Sequence, residues 1–318
     1  MKRSFVALML GIGAFAQTPY APPASPRVKL NFDLDWKSVR DDATGAEAPG
    51  FDDSAWAIIS LPHSFNDVDS FRQIISHCGG DRGPYKGLAW YRKHLKLPAR
   101  FAGGKVFLEF EGMRQAGEIF LNGKPAGLYE NGVTAYGLDI SGAYFGNEEN
   151  VLTVKVDNRT TYAERSTGTT FEWNANDFDP DHGGINRHVW PHATGKIYQT
   201  LPLYYDLESA GVYVHATNFD LAGKSADVTV DAEVRNSSGD RATVGLAAVI
   251  VDRTGQVRAR FDGEPVDMVD GEKTVSAAGA LKGARFWSPE DPYLSDRATN
   301  GPVWEAHIPT GCTISRRR

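Results

Sequence analysis

The 318 residues are 41% hydrophobic and 23% charged, enough apolar material to pack about two domains. A formal net charge of −6 with no long basic stretch argues against nucleic acid or an anionic membrane as the main partner. Two cysteines, Cys78 and Cys312, give no support for a disulfide framework, so stability has to come from the core.

The chain opens on Lys2-Arg3, an apolar run and the small-x-small pattern Ala14-Phe15-Ala16. This reads as a secretory signal over residues 1–16, too short for a comfortable membrane span. Export to the periplasm or the extracellular space is expected, with no membrane association after cleavage. A Pro-rich linker fills 17–29. From there almost nothing has helical period, whereas strand period recurs. In "KVFLEFEG", Val106, Leu108 and Phe110 point one way while Lys105, Glu109 and Glu111 point the other. In "NVLTVKVDN", Leu152, Val154 and Val156 alternate with Thr153, Lys155 and Asp157. Asn122-Gly123 is the dipeptide that accepts positive φ at both central positions of a tight hairpin. After Leu201-Pro202 a second block begins, with Val228, Val230, Ala232 and Val234 on its inner face. Short strands with Gly and Asn punctuation predict an all-β chain of two sandwiches, over residues 30–200 and 201–294. Their boundary is expected between 197 and 208.

The segments "FDDSAWAIISLPHSF", "GLAWYRKHLKLP", "VFLEFEGMRQAGEIFLNGKPAG", "ENVLTVKVDNR" and "HGGINRHVW" come in this order. Together they resemble the N-terminal sugar-binding domain of glycoside hydrolase family two, the family of β-galactosidases, β-glucuronidases and β-mannosidases. "GVYVHATN" and "FWSPEDPYL" resemble the start and end of the immunoglobulin-like domain that follows it. The resemblance implies a jelly-roll-type β-sandwich followed by an immunoglobulin-like one, and carbohydrate, a β-galactoside or related β-glycoside, as partner. It also implies retaining hydrolysis in the full-length enzyme, by two glutamates on a (β/α)₈ barrel of about 250 residues or more. That barrel is expected directly after Leu294. Residues 295–318 do not resemble it; they are expected to be a disordered tail, arising from a reading-frame shift or gene-calling error near Ser295.

Most motif residues read as scaffold: Trp56, Trp90 and Tyr91 to lock the layers, Gly112 and Gly127 where strands turn, and Arg187 to hold a buried carboxylate or carbonyls. His63 reads as a satisfied structural histidine. No catalytic residue, metal or cofactor is assigned. Glu148, in "GNEEN", reads as a solvated turn residue with no partner to raise its pKa. Asp177, Asp179 and Asp181 alternate as calcium ligands do, yet the glycine falls late and position twelve is His188 rather than Glu. The resemblance instead makes Asp177 and Asp179 acceptors for sugar hydroxyls, beside a plain solvated loop as the alternative. A second rim loop, "HCGGDRGPYKG", offers Arg82 and Tyr85, and Trp173 offers a plane for stacking on a sugar. Asn158-Arg159-Thr160 and Asn236-Ser237-Ser238 match glycosylation sequons.

Overall fold

The structure, a computed structural model, describes residues 20–21, 27–66, 85–98, 103–132, 134–144, 146, 148–170, 182–203 and 206–292. Among the described residues there is no helix, and the strands sort into two sandwiches in series. The all-β expectation holds.

The first sandwich packs a six-stranded antiparallel sheet against a four-stranded one. The larger sheet runs β3 (Ala57–Ile59), β2 (Trp36–Val39), β4 (Leu88–Leu95), β9 (Asn150–Asp157), β6 (Ala116–Leu121), β7 (Lys124–Tyr129). The smaller runs β1 (Val28–Lys29), β10 (Val189–Thr194), β5 (Lys105–Phe110), β8 (Tyr136–Asp139). Strand alternation fills the space between them: Tyr91, Ile119, Leu152, Val154 and Val156 from one side meet Val106, Leu108, Phe110, Tyr136 and Leu138 from the other. The β6–β7 hairpin turns on Asn122 (φ 53°) and Gly123 (φ 78°), the two positive-φ positions that the dipeptide promised.

Three scaffold expectations need correction. Trp90 is buried but stacks on Phe120, 6.3 Å away, on the outer face of the six-stranded sheet, because its neighbour Tyr91 takes the core side. Gly127 lies inside β7 rather than at a turn. A Cβ there would stand 2.2 Å from the Tyr136 hydroxyl, so glycine makes room for that ring. Arg187 is exposed, and the buried arginine fork belongs to Arg92.

Arg92 explains how residues 46–53 close over the outer face of the large sheet. The fully buried guanidinium donates Nε to Asp53 Oδ2 (2.8 Å) and its terminal nitrogens to the carbonyls of Ala46, Ala48 and Pro49. Lys37 Nζ (2.6 Å) and His94 Nε2 (2.9 Å) also meet the Asp53 carboxylate. Burial opposes ionisation of Asp53, but these three partners outweigh it and hold the carboxyl well below the usual range.

In the second sandwich, β13 (Ser225–Asn236) is the central strand. Along one edge it pairs with β11 (Ile197–Gln199) and then β12 (Val212–Asp220); along the other it pairs with β18 (Gly271–Lys282). The hairpin-like pairs β14 (Ala242–Val244) with β17 (Val266–Met268), and β15 (Ala247–Val251) with β16 (Val257–Asp262), supply the facing layer. Val228, Val230, Ala232 and Val234 pack against Val244, Ala248, Phe261 and Met268, the inner face read from the sequence.

The polypeptide changes sheets at residues 195–196, since β11 already pairs with β13. The linker after it folds back: Tyr198 tilts against Phe107, 5.4 Å between ring centroids, and Leu203 and Leu207 close over Gly137. Phe107 points away from the first core, and this contact is why it is nevertheless buried. Thr200 and Glu233 brace the linker through Thr200 Oγ1–Glu233 Oε1 (2.7 Å) and Gly211 N–Thr200 Oγ1 (3.0 Å).

Candidate sugar-binding rim

One end of the first sandwich gathers the starts of β4 and β6 and the ends of β9 and β7, because these strands pair antiparallel at Leu88–Asp157, Ala116–Asp157 and Gly117–Tyr129. The segments leaving that end are tied to each other. Arg114 and Gly184 exchange both backbone hydrogen bonds at 2.8 Å. The Gly87 and Asn158 backbones meet at 3.2 Å, and Gly87 N also donates to Asn158 Oδ1 at 2.9 Å. His63 N donates to Ile185 O (2.8 Å) and Phe65 N to Gly183 O (2.9 Å).

The centre of these ties is Asn66, wholly buried. Its Nδ2 donates to Tyr85 O (3.1 Å), and its Oδ1 accepts from Gly183 N (3.0 Å) and Ser64 Oγ (2.9 Å). One carboxamide therefore joins Ser64 and Asn66, Tyr85 and Gly183, three places far apart in the sequence. A side-chain amide suits this place because it is donor and acceptor at once. The Gly183-Gly184 pair is required for the approach. A Cβ on Gly184 (φ +139°) would meet His63 O at 2.4 Å, and one on Gly183 would meet the Phe65 ring at 2.3 Å.

Of the residues assigned to sugar binding, Arg82, Trp173, Asp177 and Asp179 lie outside the described residues, as do Asp181 of the calcium alternative, Cys78 and Cys312. Tyr85 lies within them. Its hydroxyl donates to Leu88 O (3.0 Å), and its ring is held between the Phe65 edge and the Arg40 guanidinium. Burial raises its pKa. The phenol oxygen keeps acceptor capacity, so Tyr85 fixes the foot of its loop and offers at most an acceptor.

The same end carries polar chemistry that sequence reasoning missed. Glu130, buried, accepts from the Tyr162 hydroxyl and from Arg165 N (2.9 Å). Burial and that carboxylate together push the Tyr162 pKa strongly up, so the phenol stays protonated. Arg165 reaches on to Glu118 at 2.8 Å. Two buried polar atoms here, Gln115 Nε2 and His182 Nδ1, have no hydrogen-bond partner. Such groups cost stability unless something satisfies them, and a hydroxyl-rich ligand can.

Elsewhere, His63 Nδ1 lies 2.9 Å from the Tyr91 hydroxyl, the satisfied histidine expected. Glu148 is exposed in the turn before β9. Both sequon asparagines, Asn158 and Asn236, are 1% exposed with their amides in use, which closes them to modification in the folded chain. The buried carboxylates Asp33, Asp53, Asp157 and Asp252, and the partly buried Glu109, are each engaged by basic or N–H partners.

Residues 86–189 match the family model described as a glycosyl hydrolase 2 galactose-binding domain-like domain, and residues 212–296 match glycosyl hydrolases family 2. A β-glucuronidase of Formosa agariphila is 36% identical over 85% of the chain and 27% of its own length. A β-galactosidase of Bacteroides ovatus is 28% identical over 85% of the chain and 29% of its own length. Among solved structures, a β-glucuronidase from glycoside hydrolase family 2 superposes with a TM-score of 0.78 at 35% identity, over 84% of this chain and 28% of that one. A Bacteroides uniformis β-glucuronidase superposes at 0.70 and 25% identity, over 84% and 29% respectively. The chain thus spans little more than a quarter of the length of these relatives, and matches their non-catalytic N-terminal domains.

Proposed function

The chain belongs to glycoside hydrolase family two, and from that premise we propose that it is the sugar-binding and immunoglobulin-like part of an exported β-glycosidase that cleaves with retention. The observation that carries the reading is the Asn66 tie. It holds at one point Tyr85, three residues after Arg82, and Gly183, four residues after Asp179. Loops placed by a rigid scaffold are where binding groups are found, and a shared buried anchor gives these two a common origin.

The chemistry divides accordingly. Retaining cleavage needs two carboxyl groups about 5 Å apart, one to protonate the leaving oxygen and one to attack. Among the described residues, the buried carboxylates Asp33, Asp53, Asp157 and Asp252 are occupied by basic side chains and N–H donors, and Glu130 by the Tyr162 hydroxyl and Arg165 N. The rim's contribution is to hold sugar hydroxyls, through the carboxylates of Asp177 and Asp179 and the unpartnered Gln115 Nε2 and His182 Nδ1. The relatives are named for both β-glucuronides and β-galactosides, so both belong in the test.

Titrating the chain, followed by tryptophan fluorescence, with galactose- and glucuronate-ended oligosaccharides is the direct experiment. Saturable binding is expected at roughly millimolar Kd, since an open rim encloses far less of a sugar than the 70–90% usual for good sites. No response to either sugar overturns the reading. The second reading, a carbohydrate-binding module acting alone, draws on the two unpartnered polar atoms, Gln115 Nε2 and His182 Nδ1, which give the rim capacity of its own. Chromogenic β-galactoside and β-glucuronide separate binding from chemistry: turnover by the purified chain would sink the non-catalytic assignment.

A further inference from the structure

The covalent path between the sandwiches is the single crossing at residues 195–196, before β11. Units joined at one crossing turn about it by default unless something else holds them. Besides the packing of Tyr198 on Phe107 and of Leu203 and Leu207 over Gly137, a further non-covalent path exists at the N-terminal arm. Its inner end belongs to the first sandwich: β1 pairs with β10 at Val28–Ala193 and Lys29–His192, and Leu30 N and Phe32 N continue the ladder to Pro191 O and Val189 O at 3.0 Å. Immediately before β1, Arg27 donates its guanidinium to Gln199 O at the end of β11, a strand of the second sandwich. Burial disfavours the Arg27 charge, while Tyr198 and Glu109 nearby favour it. Further out, Tyr20 N donates to Gly255 O at 2.8 Å. Gly255 sits in the β15–β16 turn, which Asp252 stiffens by accepting from Thr254 N (2.8 Å) and Gln256 N (3.0 Å).

We propose that the N-terminal arm is a clasp: Arg27 on Gln199 and Tyr20 on the β15–β16 turn fix the orientation of the second sandwich on the first. The two attachments fall on different elements of the second sandwich, strand β11 and the β15–β16 turn, so rotation about the crossing breaks at least one of them. Each depends on a donor that can be deleted singly. Arg27→Ala removes the guanidinium, Arg27→Lys keeps the charge without the planar fork, and Tyr20→Pro removes the backbone N–H.

The test uses the full chain with Cys78→Ser and Cys312→Ser, spin-labelled at Ile58→Cys and Val269→Cys, positions 75% and 66% exposed on opposite units. Pulsed dipolar spectroscopy then reads the distance distribution between the sandwiches. The clasp predicts a narrow distribution for the parent, a broader one for each single change and the broadest for Tyr20→Pro with Arg27→Ala, while near-UV circular dichroism stays unchanged. An unchanged width in the double variant overturns the proposal. Should that variant lose its near-UV signal, Arg27→Lys decides: the parent's width there means that Arg27 is no clasp.

Discussion

The two sandwiches solve the same packing problem with different materials. The first fills its core with large rings, among them Trp36, Tyr91, Phe110, Tyr129 and Tyr136, all fully buried, and places a buried ion cluster on its outer face. The second fills its core mainly with Val and Ala, plus Leu246 and Met268, around Phe261, and its ion pairs are single ones, as in Arg260–Asp262, Arg235–Glu272 and Arg258 on buried Asp252. Large rings and buried charges tolerate few alternative arrangements, whereas small aliphatic groups repack easily. Rigidity is thus concentrated where loops have to be held, and the second unit works as a support.

Breaking the buried charge cluster tests this contrast most severely. Asp53→Ala leaves the Arg92 guanidinium buried and unpaired, so a loss of about 3–5 kcal/mol is expected in urea unfolding of the chain. The same site sets a pH dependence. The folded carboxyl is held below its unfolded value near about 4, so its stabilisation is present above that pH and fades as pH falls through the folded value. Asp53→Asn lacks that component, and its urea midpoint is expected to change less than the parent's between pH 7 and acid. Equal slopes for the two proteins would remove Asp53 from the account.

Phe110→Ala is expected to cost about 3–5 kcal/mol, and Val230→Ala in the second core about 2 kcal/mol from the lost methyl groups and the small void. Comparable costs at the two sites would erase the contrast. Gly127→Ala sharpens it from the other side: the added Cβ runs into the buried side chains of Tyr136 and Leu138, and overpacking is expected to cost about 1–3 kcal/mol. The smallest effect belongs to Arg260→Ala, an exposed pair in the second unit, within about 0.5 kcal/mol of the parent by the same urea measurement.

Local pattern made much of this legible. Alternation in β5, β9 and β13 assigned inner faces correctly, and Asn122-Gly123 named its own turn, because each of these depends on residues a few positions apart. What escaped depends on distant partners. Phe107 breaks the alternation of β5 only because Tyr198 covers it. Arg92, not singled out within "GLAWYRKHLKLP", becomes the anchor of a segment some forty positions earlier. Asn66 was invisible for the same reason: its partners are 19 and 117 positions away, and a single asparagine after "LPHSF" carries no periodic signal. Arg187 was chosen for a buried role on motif alone, and exposure is a property of the neighbours.

The Asn66 tie has a consequence for exchange. Since the segments before and after residues 67–84 begin and end on one carboxamide, whatever is spliced between them starts and finishes in the same place. Gly183 hangs from that same amide. Cassettes of different length taken from related sequences therefore ought to transplant here without retuning the sheets beneath, and a library varied at this position would probe recognition while leaving the frame alone.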